Sequence, residues 1–158
     1  MSYAPLANVL AEEQAGFLNF LALLEEEHVL LVNKDSDALA ALLVRLDKAT
    51  SELAELAQRR RMLMQFKSDR YSFDDVIDWM KNLDDSESSR LIELWKSLVE
   101  IAEQARLKHL SNGVLIETLA KNNAQAIQML ATASQITNLY GPDGKLEGLS
   151  SKQFRGQA

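Results

Sequence analysis

Apolar residues recur at steps of three and four along most of this sequence, the spacing of helices that bury one face. The first series predicts a helix over residues 5–33 and consists of Leu6, Leu10, Phe17, Phe20, Leu21, Leu24 and Leu31. The second follows a short polar link at 33–36 and consists of Leu39, Leu42, Leu43, Leu46, Leu53, Leu56, Leu63 and Phe66. Because the link is short, we expect the two helices to be antiparallel neighbours. Asp35 or Ser36 can cap the second helix.

The pattern changes between residues 67 and 87 and then returns. Ser72 and Asp75 have the spacing of a capping box, which predicts a short amphipathic helix over 73–82. Beyond the acidic stretch 84–87, a third long helix is predicted over 88–133. Its apolar positions are Leu91, Leu94, Trp95, Leu98, Ile101, Ala105, Leu115, Leu119, Ala126, Met129 and Leu130.

The predicted helices differ in length. At 1.5 Å per residue, the second helix spans roughly 46 Å and the third roughly 69 Å. If both begin at one end of the molecule, about 15 residues of the third helix project beyond its neighbours. In the alternative, the short helix packs beside the third helix and the ends of the bundle match.

The predicted fold is all-α: a long antiparallel helical hairpin plus a long third helix, as in a three-helix bundle or coiled coil, with a short connecting helix. Residues 1–133 form the bundle domain in this interpretation. The remaining residues, 134–158, contain four of the six glycines of the chain and are predicted to form a flexible C-terminal tail.

Composition narrows the functional classes. The chain has 158 residues, no cysteine and a formal net charge of −6. The negative charge disfavours nucleic acid, because such binding neutralises phosphates with Lys and Arg. Neither a secretory signal nor an apolar run of bilayer length is found. The glutamates of the first helix would also repel anionic lipid. We therefore expect a cytoplasmic protein without membrane insertion. The basic run 59–61 is interpreted as solvated, with a dedicated anion site as the alternative.

Residues for catalysis or metal binding are sparse. Glu25 and His28 have the Glu-x-x-His spacing of di-iron bundles, but His109 follows Arg106 rather than a glutamate, so the second half of such a site is missing. Phosphate loops, nucleophile elbows and zinc ligand clusters are absent from the sequence. We therefore expect no enzyme activity, no metal and no cofactor.

The end of the third helix is the candidate binding surface. Ile116, Ala120, Ile127 and Leu130 form one apolar stripe, and Leu115, Leu119, Ala126 and Met129 form another beside it. Together they are wider than one bundle seam requires. This pattern predicts a partner helix on that surface. In the tail, Leu139 and Tyr140 suit a binding hot spot; the alternative is that they fold back on the bundle end.

Several features together resemble the FlgN family of flagellar type III export chaperones. They are the Arg59-Arg60 pair, the asparagines of the third helix (Asn112, Asn122 and Asn123) and the terminal Leu-Tyr-Gly-Pro-Asp-Gly at 139–144. The resemblance implies a cytoplasmic chaperone that binds the C-terminal helical segment of the hook-associated proteins FlgK and FlgL. It would prevent their early assembly and deliver them to the export gate, with the export ATPase as a further partner.

The family's functional regions fall on specific residues of this chain. The implied client-binding residues are Leu115, Ile116, Leu119, Ala120, Asn123, Ile127, Leu130 and Ile136. The implied contacts with the export gate are Leu139, Tyr140 and Gly141, although Pro142 within the element departs from the family pattern. The competing hypothesis is a structural protein that forms a homodimer through a self-associating coiled coil.

Overall fold

The computed structural model describes residues 2–64, 71–83 and 86–122, which form four helices. These are α1 (Ala4–Asn33), α2 (Ser36–Met64), α3 (Phe73–Lys81) and α4 (Ser88–Ala120). The predicted all-α fold is confirmed. Two predicted helices extend past the described residues: the second at Phe66 and the third from 123 to 133. Residues 121 and 122 form a turn after α4.

The link between α1 and α2 is only two residues long. Lys34 adopts the left-handed conformation (φ 57°, ψ 34°), and the backbone N–H of Asp35 donates to the carbonyl of Leu30 at 3.1 Å. The Asp35 carboxylate then accepts the N–H of Ala38 at 3.2 Å, so Asp35 caps α2. This reversal makes α1 and α2 antiparallel, as the link length predicted. Gly16 permits their close approach, since a Cβ there would lie 2.9 Å from Leu53 Cδ2.

The predicted capping box forms at the start of α3. Ser72 Oγ accepts the N–H of Asp75 at 3.1 Å, and Asp75 Oδ2 accepts the N–H of Ser72 at 2.8 Å. After α3, the Ser88 hydroxyl donates to the carbonyl of Met80 at 2.6 Å, which connects α3 to the first turn of α4. Helix α3 packs against α4, as the alternative interpretation of the helix lengths required.

Helix α1 is the centre of the bundle, because both α2 and α4 pack along it. Helix α4 is parallel to α1. Near its start, Trp95 lies against Arg60, which binds Glu13 of α1, and further along, the Asn112 side chain reaches Leu24 and Glu27 at separations of 88 and 85 residues. The same offsets place Ala120 level with residues 32–35, so α4 ends beside the α1–α2 link. The core is continuous along the bundle and includes Leu10, Phe17, Phe20, Leu24, Leu31, Leu42, Leu46, Leu53, Leu91, Trp95 and Leu98.

Candidate partner-binding surface

One face of α4 is turned towards α1. Its buried positions alternate between steps of four and three residues, which is a heptad spacing, and we call them the inner seam. They are Leu91, Trp95, Leu98, Ala102, Ala105, His109, Asn112 and Ile116. The inner seam fixes the orientation of every other residue on α4.

The described part of the predicted client-binding surface lies in the last two turns of α4. Leu115 and Leu119 are half-buried and pack against the core, and Ala120 is also half-buried. The expectation that Ile116 lies on an exposed stripe is wrong: it is 3% exposed, because its position continues the inner seam. The other predicted contacts, Asn123, Ile127, Leu130, Ile136, Leu139, Tyr140 and Gly141, lie outside the described residues. The binding roles themselves stay predictions.

An apolar stripe that the sequence analysis missed lies on the opposite side of α4. Leu107 is 54% exposed, Leu110 48% and Val114 63%. They follow one another at steps of three and four, so they occupy one face over two turns. The three-four spacing of these residues is present in the sequence. The apolar residues at 115 and 119, which belong to a different face, placed the predicted surface at the end of the helix instead.

The inner seam contains polar residues where it packs against the second half of α1. The Asn112 amide donates to the carbonyl of Leu24 at 2.8 Å and to Glu27 Oε1 at 2.7 Å. Glu27 is buried, and its Oε2 and the Asn112 Oδ1 are buried without a hydrogen-bond partner. Burial raises the pKa of Glu27, and the hydrogen bond from Asn112 opposes this shift. Burial lowers the pKa of His109, one turn earlier on α4.

A second buried polar cluster joins α1, α2 and α4 at the other end of the bundle. Arg60 Nε donates to Glu13 Oε1 at 2.7 Å, and Nη1 donates to the Tyr71 hydroxyl at 3.1 Å. The guanidinium lies over the Trp95 ring, 5.4 Å from its centroid. Desolvation lowers the pKa of Arg60, but the Glu13 carboxylate and the Tyr71 hydroxyl together outweigh it, so the pKa lies above its ordinary value and the group is charged.

The interpretation of the basic run 59–61 as solvated is therefore wrong for Arg60, which is fully buried. Its neighbour Arg59 does face solvent, where it pairs with Glu12 at 3.5 Å. The expectation that the glutamates of the first helix face outwards is also wrong for Glu13 and Glu27. Neighbouring helical residues point about 100° apart, so the members of one charged run face different sides of the helix.

Other chemistry is limited in the described part of the chain. Among residues 2–64, 71–83 and 86–122, no three His, Asp or Glu side chains come together as a metal site would require. A cavity of about 300 Å³ lies between the start of α1, the end of α2 and α3, where the rings of Tyr3 and Trp79 meet edge to face at 5.8 Å. None of the helices that the structure describes has the length and apolar content to span a bilayer.

Comparison with known proteins gives two further findings. The family model of the FlgN protein matches residues 1–148. Flagella synthesis protein FlgN from Yersinia enterocolitica and its counterpart from serotype O:8 / biotype 1B of that species are each 40% identical to this chain over 60 residues. The aligned segment covers 38% of this chain and only 40% of the length of those relatives.

A solved structure shares the fold. It is the crystal structure of a Pseudomonas aeruginosa protein assigned as a flagella synthesis protein FlgN. It superposes with a TM-score of 0.63, covering 86% of this chain and 99% of that one, at 16% sequence identity. At this identity the likeness supports the helical architecture alone.

Proposed function

The chain belongs to the FlgN family, and on that premise we propose that it functions in flagellum synthesis as a cytoplasmic export chaperone for the hook-associated proteins FlgK and FlgL. The observation that carries the proposal is the family match over residues 1–148. That range includes all the residues to which the sequence analysis assigned client and gate contacts. The function is one of binding and delivery, without a catalytic step.

The proposed mechanism is helix-in-groove recognition at the end of α4. Leu115, Leu119 and Ala120 are half-buried there, so an added helix can complete their burial. Each Leu or Ile that becomes fully buried contributes roughly 1.5–3 kcal/mol. The client is the C-terminal helical segment of FlgK or FlgL, and its remaining contacts are Asn123, Ile127, Leu130 and Ile136. Covering that segment prevents premature assembly.

Delivery is assigned to the tail. Leu139, Tyr140 and Gly141 contact the cytoplasmic domain of the export gate in this proposal, with the export ATPase as a further partner. Client and gate contacts are thus placed on successive segments, so a loaded chaperone can dock without first releasing its client.

The test is co-purification of FlgK and FlgL with the full chain and with a variant that ends at residue 133. We expect the shortened protein to melt within a few degrees of the full chain yet lose at least tenfold in affinity for the C-terminal segment of FlgK. A large fall in the melting temperature would show instead that residues 134–158 stabilise the bundle.

Point variants locate the client site. Ile127→Asp and Leu130→Asp should each abolish capture of FlgK and FlgL, since a buried carboxylate without a partner is costly. Val44→Asp is the matched control, because Val44 is 72% exposed and belongs to α2, which contributes no residue to the proposed site. Capture of FlgK and FlgL that persists with both Ile127→Asp and Leu130→Asp would contradict the proposed surface.

A further inference from the structure

Helix α4 has a second seam on its solvent side, which we call the outer seam. It alternates between steps of four and three residues, as the inner seam does, and all its members are exposed: Glu103, Leu107, Leu110, Val114, Glu117 and, at the C-cap of α4, where the backbone is still in the helical region, Lys121. The apolar residues lie in the middle and the charged residues at the ends. A three-four repeat with this order is the surface that a second helix covers in a coiled coil.

We propose that a second copy of this chain docks on the outer seam, with the two α4 helices antiparallel and Leu110 of each copy opposite Val114 of the other. A two-fold axis then makes every contact twice. In this register Glu103 of each copy faces Lys121 of the other. Leu107 lies against the methylene groups of Glu117.

The charges select this arrangement over its competitors. In a parallel pair, Glu103, Glu117 and Lys121 would each face their own copy, which is repulsive. The neighbouring antiparallel register places Leu107 opposite Leu110, but it brings Glu100 opposite Glu117. Only the proposed register pairs apolar residues in the centre and opposite charges at both ends. Glu103 already accepts from Arg106 at 2.6 and 2.9 Å, so Lys121 is a second cation on the same carboxylate.

Gly113 also supports the proposed pairing of two α4 helices. A glycine inside a helix is less favourable than alanine, and a Cβ at this position would meet nothing within 4 Å in the part of the chain that the structure describes. Packing among the described residues thus gives no reason for a glycine here. In the proposed pair, Gly113 flanks the outer seam beside the two-fold axis, where the two α4 backbones approach each other most closely. A residue without a side chain suits that position.

The size of the surface sets the expected strength. The overlap from residue 103 to residue 121 is about 28 Å long, and its apolar part covers two turns. A stable interface buries about 800 Å² per partner, which is more than one helix face of this length supplies. The expected association is therefore reversible and concentration-dependent.

Sedimentation of the full chain over a hundredfold concentration range tests the proposal. Wild-type protein should shift from monomer to dimer, and Leu110→Asp should stay monomeric with unchanged helicity, because Leu110 is exposed. Val44→Asp on α2 should dimerise like the wild type. A wild-type protein that stays monomeric throughout would overturn the proposal, even if Leu110→Asp weakened FlgK binding, since the stripe would then serve another protein.

Charge exchange and cross-linking test the register. Glu103→Lys and Lys121→Glu should each weaken dimerisation several-fold, and the double variant should restore it.

Because the chain has no cysteine, Glu103→Cys and Lys121→Cys can be mixed under oxidising conditions. We expect a disulfide between the two different variants and little within either alone. Efficient cross-linking of Glu103→Cys to itself would indicate parallel helices and overturn the antiparallel arrangement.

Discussion

Glu27 illustrates how a single residue can make the bundle sensitive to pH. Its carboxyl is buried between α1 and α4, accepts one hydrogen bond from Asn112, and forms no ion pair with any cation in the described part of the chain. The raised pKa means that the folded protein holds this proton more tightly than the unfolded chain does. Stability contributed by the protonated form is therefore present below the ordinary pKa of 4.5 and is lost as the pH rises through the folded value.

Glu27→Gln should remove this dependence. Glutamine keeps an oxygen for the Asn112 amide but cannot ionise, so the variant should melt higher than the wild type at pH 7 and above. The advantage should shrink as the pH falls towards 4.5. Thermal melts across this range measure it, and the burial-lowered pKa of His109, which makes acid destabilising, affects both proteins alike. A difference that stays constant with pH would contradict this account.

At the scale of the helix, much of the architecture follows from local signals. The four helices, the antiparallel hairpin, the Asp35 cap and the capping box of α3 begin where apolar spacing and turn chemistry predicted them. The predicted end of the third long helix is not reproduced in the described residues, because α4 ends at Ala120 and a turn follows at 121–122. Such signals depend on residues close together in sequence. Arg60 and Glu13 are 47 residues apart, so no local pattern marks Arg60 as buried. The outward position of Leu107, Leu110 and Val114 likewise depends on His109 and Asn112 facing α1.

The capping box of α3 provides a test at this scale. Ser72→Ala should lower the free energy of unfolding by about 1 kcal/mol, because it leaves a backbone N–H at the helix start without its acceptor. Urea denaturation measures the change. Ser51→Ala, an exposed serine inside α2, is the matched control and should change stability little. Equal effects from the two substitutions would show that the box does not hold α3.

Across the whole molecule, the Arg60 cluster determines how three helices meet. Removing one member of a buried ion pair leaves the other charge without compensation, so Glu13→Ala should destabilise the protein by about 3–5 kcal/mol. Glu13→Leu combined with Arg60→Met should recover much of that loss, since neither charge remains buried. The exposed pair Glu12–Arg59 is the control, and Glu12→Ala should cost about 1 kcal/mol or less. Chemical denaturation that shows equal costs for Glu13→Ala and Glu12→Ala would contradict the proposed importance of the cluster.

The parallel course of α1 and α4 places the start of α1 and the end of α4 at opposite poles of the bundle. Helix α1 has 30 residues, so its first residue lies about 45 Å from the pole at which α4 finishes. A fluorophore, affinity handle or solid support attached before Ala4 would therefore lie about 45 Å from the end of α4. Immobilised protein oriented in this way would present the opposite pole to incoming binding partners without hindrance.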